Sequence, residues 1–274
     1  MGERLSPRGV FDTHAHYTDE RFAAEFEGGA DAAIRECFTD GMAGILNVGT
    51  NLENSRRAVM QAKNYPLMYA AVGIHPSDIG MSGGFDEEMS ALSALLSGRE
   101  EDGIVALGEI GLDYHWQPYD KELQAKYFDA QLSLAREMDI PVIIHDREAH
   151  GDCFEAVLRH PGVRGVFHSY SGSAEMALEL CRRGFYISFS GTVTFKNARH
   201  VRSVVEEVPR DRILVETDCP YLTPEPYRGR LNYSAYAAYT AAAVGAVLDI
   251  GAGEAAALTA ENARRLFGLP SAGV

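Results

Sequence analysis

Nothing in the 274 residues approaches the ~18 to 20 consecutive apolar residues that a membrane span requires, and the opening segment Met1–Val10 is polar, without the apolar stretch of a secretory leader. Cysteine is sparse. Cys37, Cys153, Cys181 and Cys219 lie far apart with no Cys-x-x-Cys pair, which argues against a zinc knuckle and a disulfide framework and predicts reduced thiols in a cytoplasmic protein. Positive charge is in deficit: 25 Lys and Arg stand against 39 Asp and Glu, a formal net charge of −14. Such a surface does not bind a polyanion non-specifically, so any nucleic acid has to be gripped locally. Internal repeats, charge blocks and Pro/Ser-rich linkers are absent as well. Residues 1–274 are therefore expected to form one domain, with no segment marked for an obligate protein partner.

What is present is an alternation. Short apolar, β-branched runs at Val10–His16, Ala43–Gly49, Leu67–His75, Ile104–Ile110, Pro141–His145, Gly165–Ser169, Phe185–Ser190 and Ile213–Asp218 are separated by longer amphipathic segments. One such segment is Leu123–Met138, where Leu123, Tyr127, Phe128, Leu132 and Leu134 recur near the helical period. Eight βα units predict an α/β fold, a TIM (β/α)₈ barrel; a doubly wound open sheet is the alternative that shares the alternation. Two alanine-rich helices, Ala235–Val247 and Glu254–Phe267, the latter closed by Gly268 and Pro270, are expected to cover the last barrel segment. The glycine-rich loop Asp78–Phe85 is the most flexible-looking stretch.

Polar residues collect where the apolar runs end, which favours the barrel, whose functional groups gather at the C-terminal ends of several strands. The first run ends in Asp12-Thr13-His14-Ala15-His16, which places two imidazoles two residues apart on one face of an extended segment. Others end in Glu109, His145, His168 and Asp218. A lone His-x-His pair is most often incidental, but burying six ionisable groups without partners costs several kcal/mol each, and divalent cations supply a common partner. Imidazole with carboxylate suits zinc, manganese or iron, and oxygen and water positions leave room for magnesium. Six ligands suffice for two cations if one carboxylate bridges them, and Glu109, on a strand midway through the barrel, is the candidate bridge.

The segments FDTHAH, VGIHP, LGEIGLDY, PVIIHDREA, FHSYSG and ETDCPYL resemble those of the TatD family of metal-dependent deoxyribonucleases, in the family's order and over Phe11 to about Phe267. The resemblance implies an amidohydrolase-like barrel and metal-dependent nuclease activity. It further implies that His14, His16 and Asp218 hold one metal, that His145 and His168 hold the other, and that Glu109 bridges them. Two positions depart from the family's pattern: Ser77 stands where a second histidine is common, and Asn232-Tyr233-Ser234 stands in place of Asn-Glu-Pro. Neither removes a ligand; both bear on the substrate pocket.

The expected reaction is hydrolysis of DNA, exonucleolytic from a 3′ end rather than endonucleolytic, on single-stranded DNA or strand ends. Two divalent cations (Mg²⁺, Mn²⁺ or Zn²⁺) would lower the pKa of a shared water toward ~7, and Asp218 would orient the water and take its proton. His75 is read as a phosphate contact or as a structural loop residue before Pro76. Arg147 is read as a phosphate fork or as a salt-bridge partner of Glu148 or Asp152. Tyr114 lines the pocket or belongs to an ordinary turn; Asp113 orients a ligand histidine or belongs to the same turn. Arg228, with Arg230, holds a nucleic-acid backbone or lies in a solvated loop. His115 and Trp116 stack a base or cover the barrel rim. Glu216 is expected in a deeper ion pair rather than on metal, and Cys219 faces away from the site. The alternative activity is attack of the same activated water on a carbonyl ester or amide, such as an aminoacyl-tRNA ester. From a different class, a barrel that binds metal only structurally would be expected to have lost some ligands, and all six are here.

Overall fold

β-branched and aliphatic residues fill eight strands that pair side by side, in chain order and all parallel: β1 Phe11–Ala15, β2 Gly44–Val48, β3 Met68–Val72, β4 Ile104–Asp113, β5 Val142–Arg147, β6 Gly165–Phe167, β7 Tyr186–Phe189 and β8 Ile213–Val215. The computed structural model describes residues 4–270; the outermost residues of the expected 1–274 unit, 1–3 and 271–274, lie outside the described residues. The chain just beyond β8 returns to β1, where the Asp218 amide donates to His14 O at 2.9 Å and the His16 amide to Cys219 O at 2.8 Å. The sheet thus closes into a (β/α)₈ barrel, not an open doubly wound sheet.

Inward-facing residues divide into two levels. Phe11, Leu46, Ala71, Ala106, Ile143, Val166, Tyr186 and Leu214, one from each strand, pack in a single buried cluster. Ala260, Ala263, Leu266 and Phe267 of the last helix join that cluster. The apolar lower level is thereby plugged by the C-terminal helix, and the polar residues occupy the opposite end. On most strands the site residue follows by simple alternation: His145 lies two residues beyond Ile143, and His168 two beyond Val166. On β1 and β4 it does not. The pairing register shifts between Asp12 and Ala15, and again between Leu107 and Ile110, and these irregularities re-aim His14, His16 and Glu109 into the barrel.

Boundaries differ from expectation in informative ways. β4 runs on to Asp113, so Glu109 lies within its strand rather than at the end. β6 and β8 stop early, because Ser169 and Asp218 adopt left-handed backbone at φ 42° and 56°. The helix expected from Leu123 begins at Lys121, since the Asp120 side chain accepts from the Leu123 amide and caps it. A short 3₁₀ turn, Ser234–Tyr236, precedes the helix Ala237–Val247, and Ala252–Phe267 ends at Gly268 with φ 66°. Among the described residues no single helix is long and apolar enough to cross a membrane.

Gly111 is demanded by this geometry: its φ is +143°, and a Cβ there would sit 2.0 Å from the carbonyl oxygen of His145. Gly111→Ala is expected to destabilise the protein by about 3 kcal/mol, lowering Tm by about 10 °C in calorimetry. Gly253→Ala, in an open helical position, should leave Tm unchanged or raised.

Candidate metal centre

The site is built around one carboxylate. Glu109, 3% exposed, lies in the midst of imidazoles contributed by four other strands or strand ends. Its Oε2 is 3.4 Å from His14 Nε2 and 3.6 Å from His16 Nε2. Its Oε1 is 2.7 Å from His168 Nε2, 2.8 Å from His145 Nδ1 and 3.7 Å from His75 Nε2. Asp218 Oδ1 faces the first group, 3.8 Å from His14 Nε2 and 3.5 Å from His16 Nε2, while those two nitrogens are 3.0 Å apart. Metal–nitrogen bonds of about 2.0–2.1 Å in a tetrahedron put neighbouring donors roughly 3.4 Å apart, and this group has that spacing. Glu109 Oε2 thus faces His14 and His16, with Asp218 beyond them, and Oε1 faces His168, His145 and His75, the last of which is also close enough to count among the possible ligands.

The far sides of the rings are fixed as well. His16 Nδ1 donates to Val48 O at 2.9 Å, His145 Nε2 to Asp113 Oδ2 at 2.9 Å and His168 Nδ1 to Glu216 Oε1 at 3.2 Å. With one nitrogen occupied as donor, the other presents its lone pair to the centre, the arrangement that carboxylate and carbonyl partners impose on ligand histidines. His14 Nδ1 is the exception, buried with no partner. Several ring nitrogens converging beside one buried and one half-buried carboxylate need a positive partner, and this donor set fits divalent cations.

The carboxylates and rings also set one another's ionisation. Burial would raise the Glu109 carboxyl, yet His168, His14 and His75 outweigh it and hold the group well below the usual carboxylate range. Asp218 is lowered too, since its bond to His16 and the nearby imidazoles overcome burial. On His168, burial is overcome by Glu109 and Glu216, which push the ring well above its ordinary value; His16, against the same burial, rises to about 9 through Asp218 and Glu109. His75 moves the other way, to about 3, because burial and neighbouring His145 disfavour its charged form.

A cavity of about 770 Å³ opens above this centre, bounded by loops that follow most of the strands. His75 and Arg147 line it, and Arg147 is the one lysine or arginine among the described lining residues. Arg147 does not pair with Glu148 or Asp152; its guanidinium lies 5.2 Å from the Trp116 ring. Those two acids are engaged elsewhere, Glu148 with His115 and Asp152 with the Tyr114 hydroxyl. Tyr114 itself is not in the cavity. It follows inward-facing Asp113 and so turns outward, stacking on Tyr119 under the Lys121 ammonium. Arg228 is likewise outside, on an exposed loop over Phe195 at 4.2 Å. Asp113 and Glu216 support ligand rings, and Cys219 is fully buried.

Some residues that matter here are given no role by the sequence pattern, or only a general one. Asp12, buried in β1, accepts from the Thr217 amide at 2.9 Å and its hydroxyl at 2.6 Å, fixing the turn that presents Asp218. Asn232, within the departure from the Asn-Glu-Pro pattern, donates to Thr217 O and Tyr221 O and holds the last loop down. Tyr221 lines the cavity beside it. An aspartate two residues before the first histidine was the only available signal for the first of these.

Residues 11–268 match the family described as TatD related DNase. The chain belongs to the TatD family. It is 41% identical over 262 residues to the metal-dependent hydrolase YabD of Bacillus subtilis, covering 94% of this chain and 98% of the relative. It is 31% identical over 267 residues to the metal-dependent hydrolase TatD of Mycobacterium tuberculosis, covering 95% and 98%. In structure it is similar to the TatD homologue YjjV of Escherichia coli, with a TM-score of 0.86 and 31% identity over 96% of this chain and all of the other. As a member of the TatD family the protein is a metal-dependent hydrolase, and the clustered histidines and carboxylates are its metal-binding candidates.

Asp113→Ala frees the His145 ring without touching a proposed ligand atom. It should weaken binding of one divalent cation by about 10- to 100-fold in isothermal titration, leaving a second, tighter binding event intact. Loss of both events together, or of neither, would contradict two distinct donor sets.

Proposed function

We propose that this TatD-family hydrolase cleaves DNA phosphodiester bonds, acting from the 3′ end of a single strand. The observation that carries the reading is the Glu109 carboxylate, one oxygen toward His14 and His16, beside Asp218, and the other toward His145 and His168, under a cavity whose one lysine or arginine among the described lining residues is Arg147. Those residues would hold two divalent cations. The chemistry such cations supply is Lewis acidity: water loses a proton near neutral pH, and charge on phosphoryl oxygens is offset.

The chain's own groups do the rest. Asp218, half-buried with its carboxyl held ionised, accepts the proton of the water that adds to phosphorus. Arg147 binds the phosphate through its guanidinium fork, and His75, kept neutral by burial, donates a ring N–H to the same group. The phosphorus–O3′ bond breaks, and the departing O3′ takes up a proton from solvent at the mouth. Asp19, Asp78 and Asp146 on the cavity walls repel phosphates that are not held by Arg147, which favours a single strand end over the closely spaced phosphates of a duplex. The four cysteines, free and buried, fit a reducing cytoplasmic setting.

The test is hydrolysis of an end-labelled single-stranded oligonucleotide under Mg²⁺, Mn²⁺ and Zn²⁺, comparing the intact protein with Glu109→Ala and Asp218→Asn. Stepwise shortening from the 3′ end is expected, abolished by the first variant and slowed roughly 10²- to 10⁴-fold by the second. Intact DNA under all three ions, with cleavage of an aminoacyl ester instead, would replace phosphorus by a carbonyl carbon as the electrophile. Arg147→Ala should raise KM for the oligonucleotide about tenfold or more, with a smaller effect on kcat.

A further inference from the structure

Exposed large apolar side chains on this molecule are scattered, but two of them, Trp116 at 61% exposure and Tyr221 at 46%, line the same cavity. Trp116 follows β4 and Tyr221 follows β8. In a closed ring of eight strands paired in order, those positions lie across the mouth from each other, with the donor cluster between them. Each ring is held by a guanidinium, Arg147 at 5.2 Å from the Trp116 centroid and Arg21 at 5.5 Å from that of Tyr221. Each is also anchored by polar contacts. The Tyr221 hydroxyl donates to Asp19 at 2.8 Å, and the Trp116 and His115 amides donate to Asp113 Oδ1 at 3.3 and 2.9 Å. The other oxygen of Asp113 orients His145, so one carboxylate sets both the Trp116 loop and a metal-ligand candidate.

Indole and phenol rings left open to solvent at a cavity mouth cost apolar exposure, and pre-oriented rings bind flat π-systems at little conformational cost. The geometry points to Trp116 and Tyr221 as a pair of nucleobase-stacking platforms that grip unpaired bases on either side of the scissile phosphate. The substrate named here rests on the nuclease reading. Bases in a duplex stack on one another and cannot reach either ring, so the pair selects single strands by base stacking, independently of charge. This also accounts for how so acidic a chain holds a polyanion: one arginine takes a phosphate, and the aromatic rings take the neutral bases.

Trp116 is the protein's single tryptophan, so its emission reports directly from the mouth. The experiment is a fluorescence titration of the metal-loaded protein with an uncleaved phosphorothioate single strand, an abasic strand of equal length, adenosine monophosphate and inorganic phosphate. Stacking predicts saturable quenching by the base-bearing strand and by the mononucleotide, with little from the abasic strand or phosphate. In steady-state kinetics Trp116→Ala should raise KM for base-bearing DNA about tenfold and bring it toward the KM for abasic DNA, with partial recovery in Trp116→Phe. If Trp116 served only to position Arg147, the variant would weaken both strands equally, and the inference would fall. Equal quenching by base-bearing and abasic strands would overturn it too, while DNA cleavage in the same preparation would leave the nuclease reading standing. Conversely, quenching by the mononucleotide from a protein that cleaves no DNA would keep the platforms and discard the phosphodiesterase.

Discussion

A single buried carboxylate among imidazoles is the constraint to which the rest of the structure answers. Glu109 has almost no access to water, and its charge is compensated only by the groups around it. Five histidines surround it because the barrel brings the ends of β1, β5 and β6 and the chain after β3 to one axis. Local irregularities on β1 and β4 supply what alternation alone would not. The same requirement reaches outward: Asp113, Glu216 and the Val48 carbonyl each occupy the far nitrogen of one ring, so the near nitrogens are left to accept a cation.

This construction separates stability from chemistry by level. Below the centre, apolar side chains from every strand and the last helix fill the barrel; above it, the wall is polar and open. The division is the usual one for barrels of this kind, in which loops beyond the strand ends carry function on a packed scaffold. Here the last residue of β4 links two parts of the polar level. Asp113 ties the turn that carries Trp116 to the ring of His145, so one carboxylate holds both that turn and a metal-ligand candidate.

Much of this was legible in the residues. The eight apolar runs gave the strands in number and order, and the six metal-binding candidates stood out because ionisable residues recur where those runs stop. Three features were not legible, each for a physical reason. Glu109 was placed at a strand end, whereas β4 continues four residues further; a run of Gly, Glu, Ile, Gly and Leu does not show that pairing with β5 persists through a register shift. Tyr114 was placed in the pocket on its proximity to Asp113, but neighbours on an extended strand face opposite sides, and its hydroxyl found Asp152. Arg228 was placed near substrate on its position after β8, but loop course is set by long-range contacts such as those of Asn232, which no local pattern encodes.

Sharing of Glu109 between two cation sites is the proposal on which this arrangement turns. It is tested most directly by anomalous diffraction from crystals of the Mn²⁺-loaded protein. Two peaks about 3.5–4 Å apart are expected, one facing each oxygen of Glu109 and bounded respectively by His14, His16 and Asp218 and by His145 and His168. A single peak, or two peaks of which only one contacts Glu109, would contradict it.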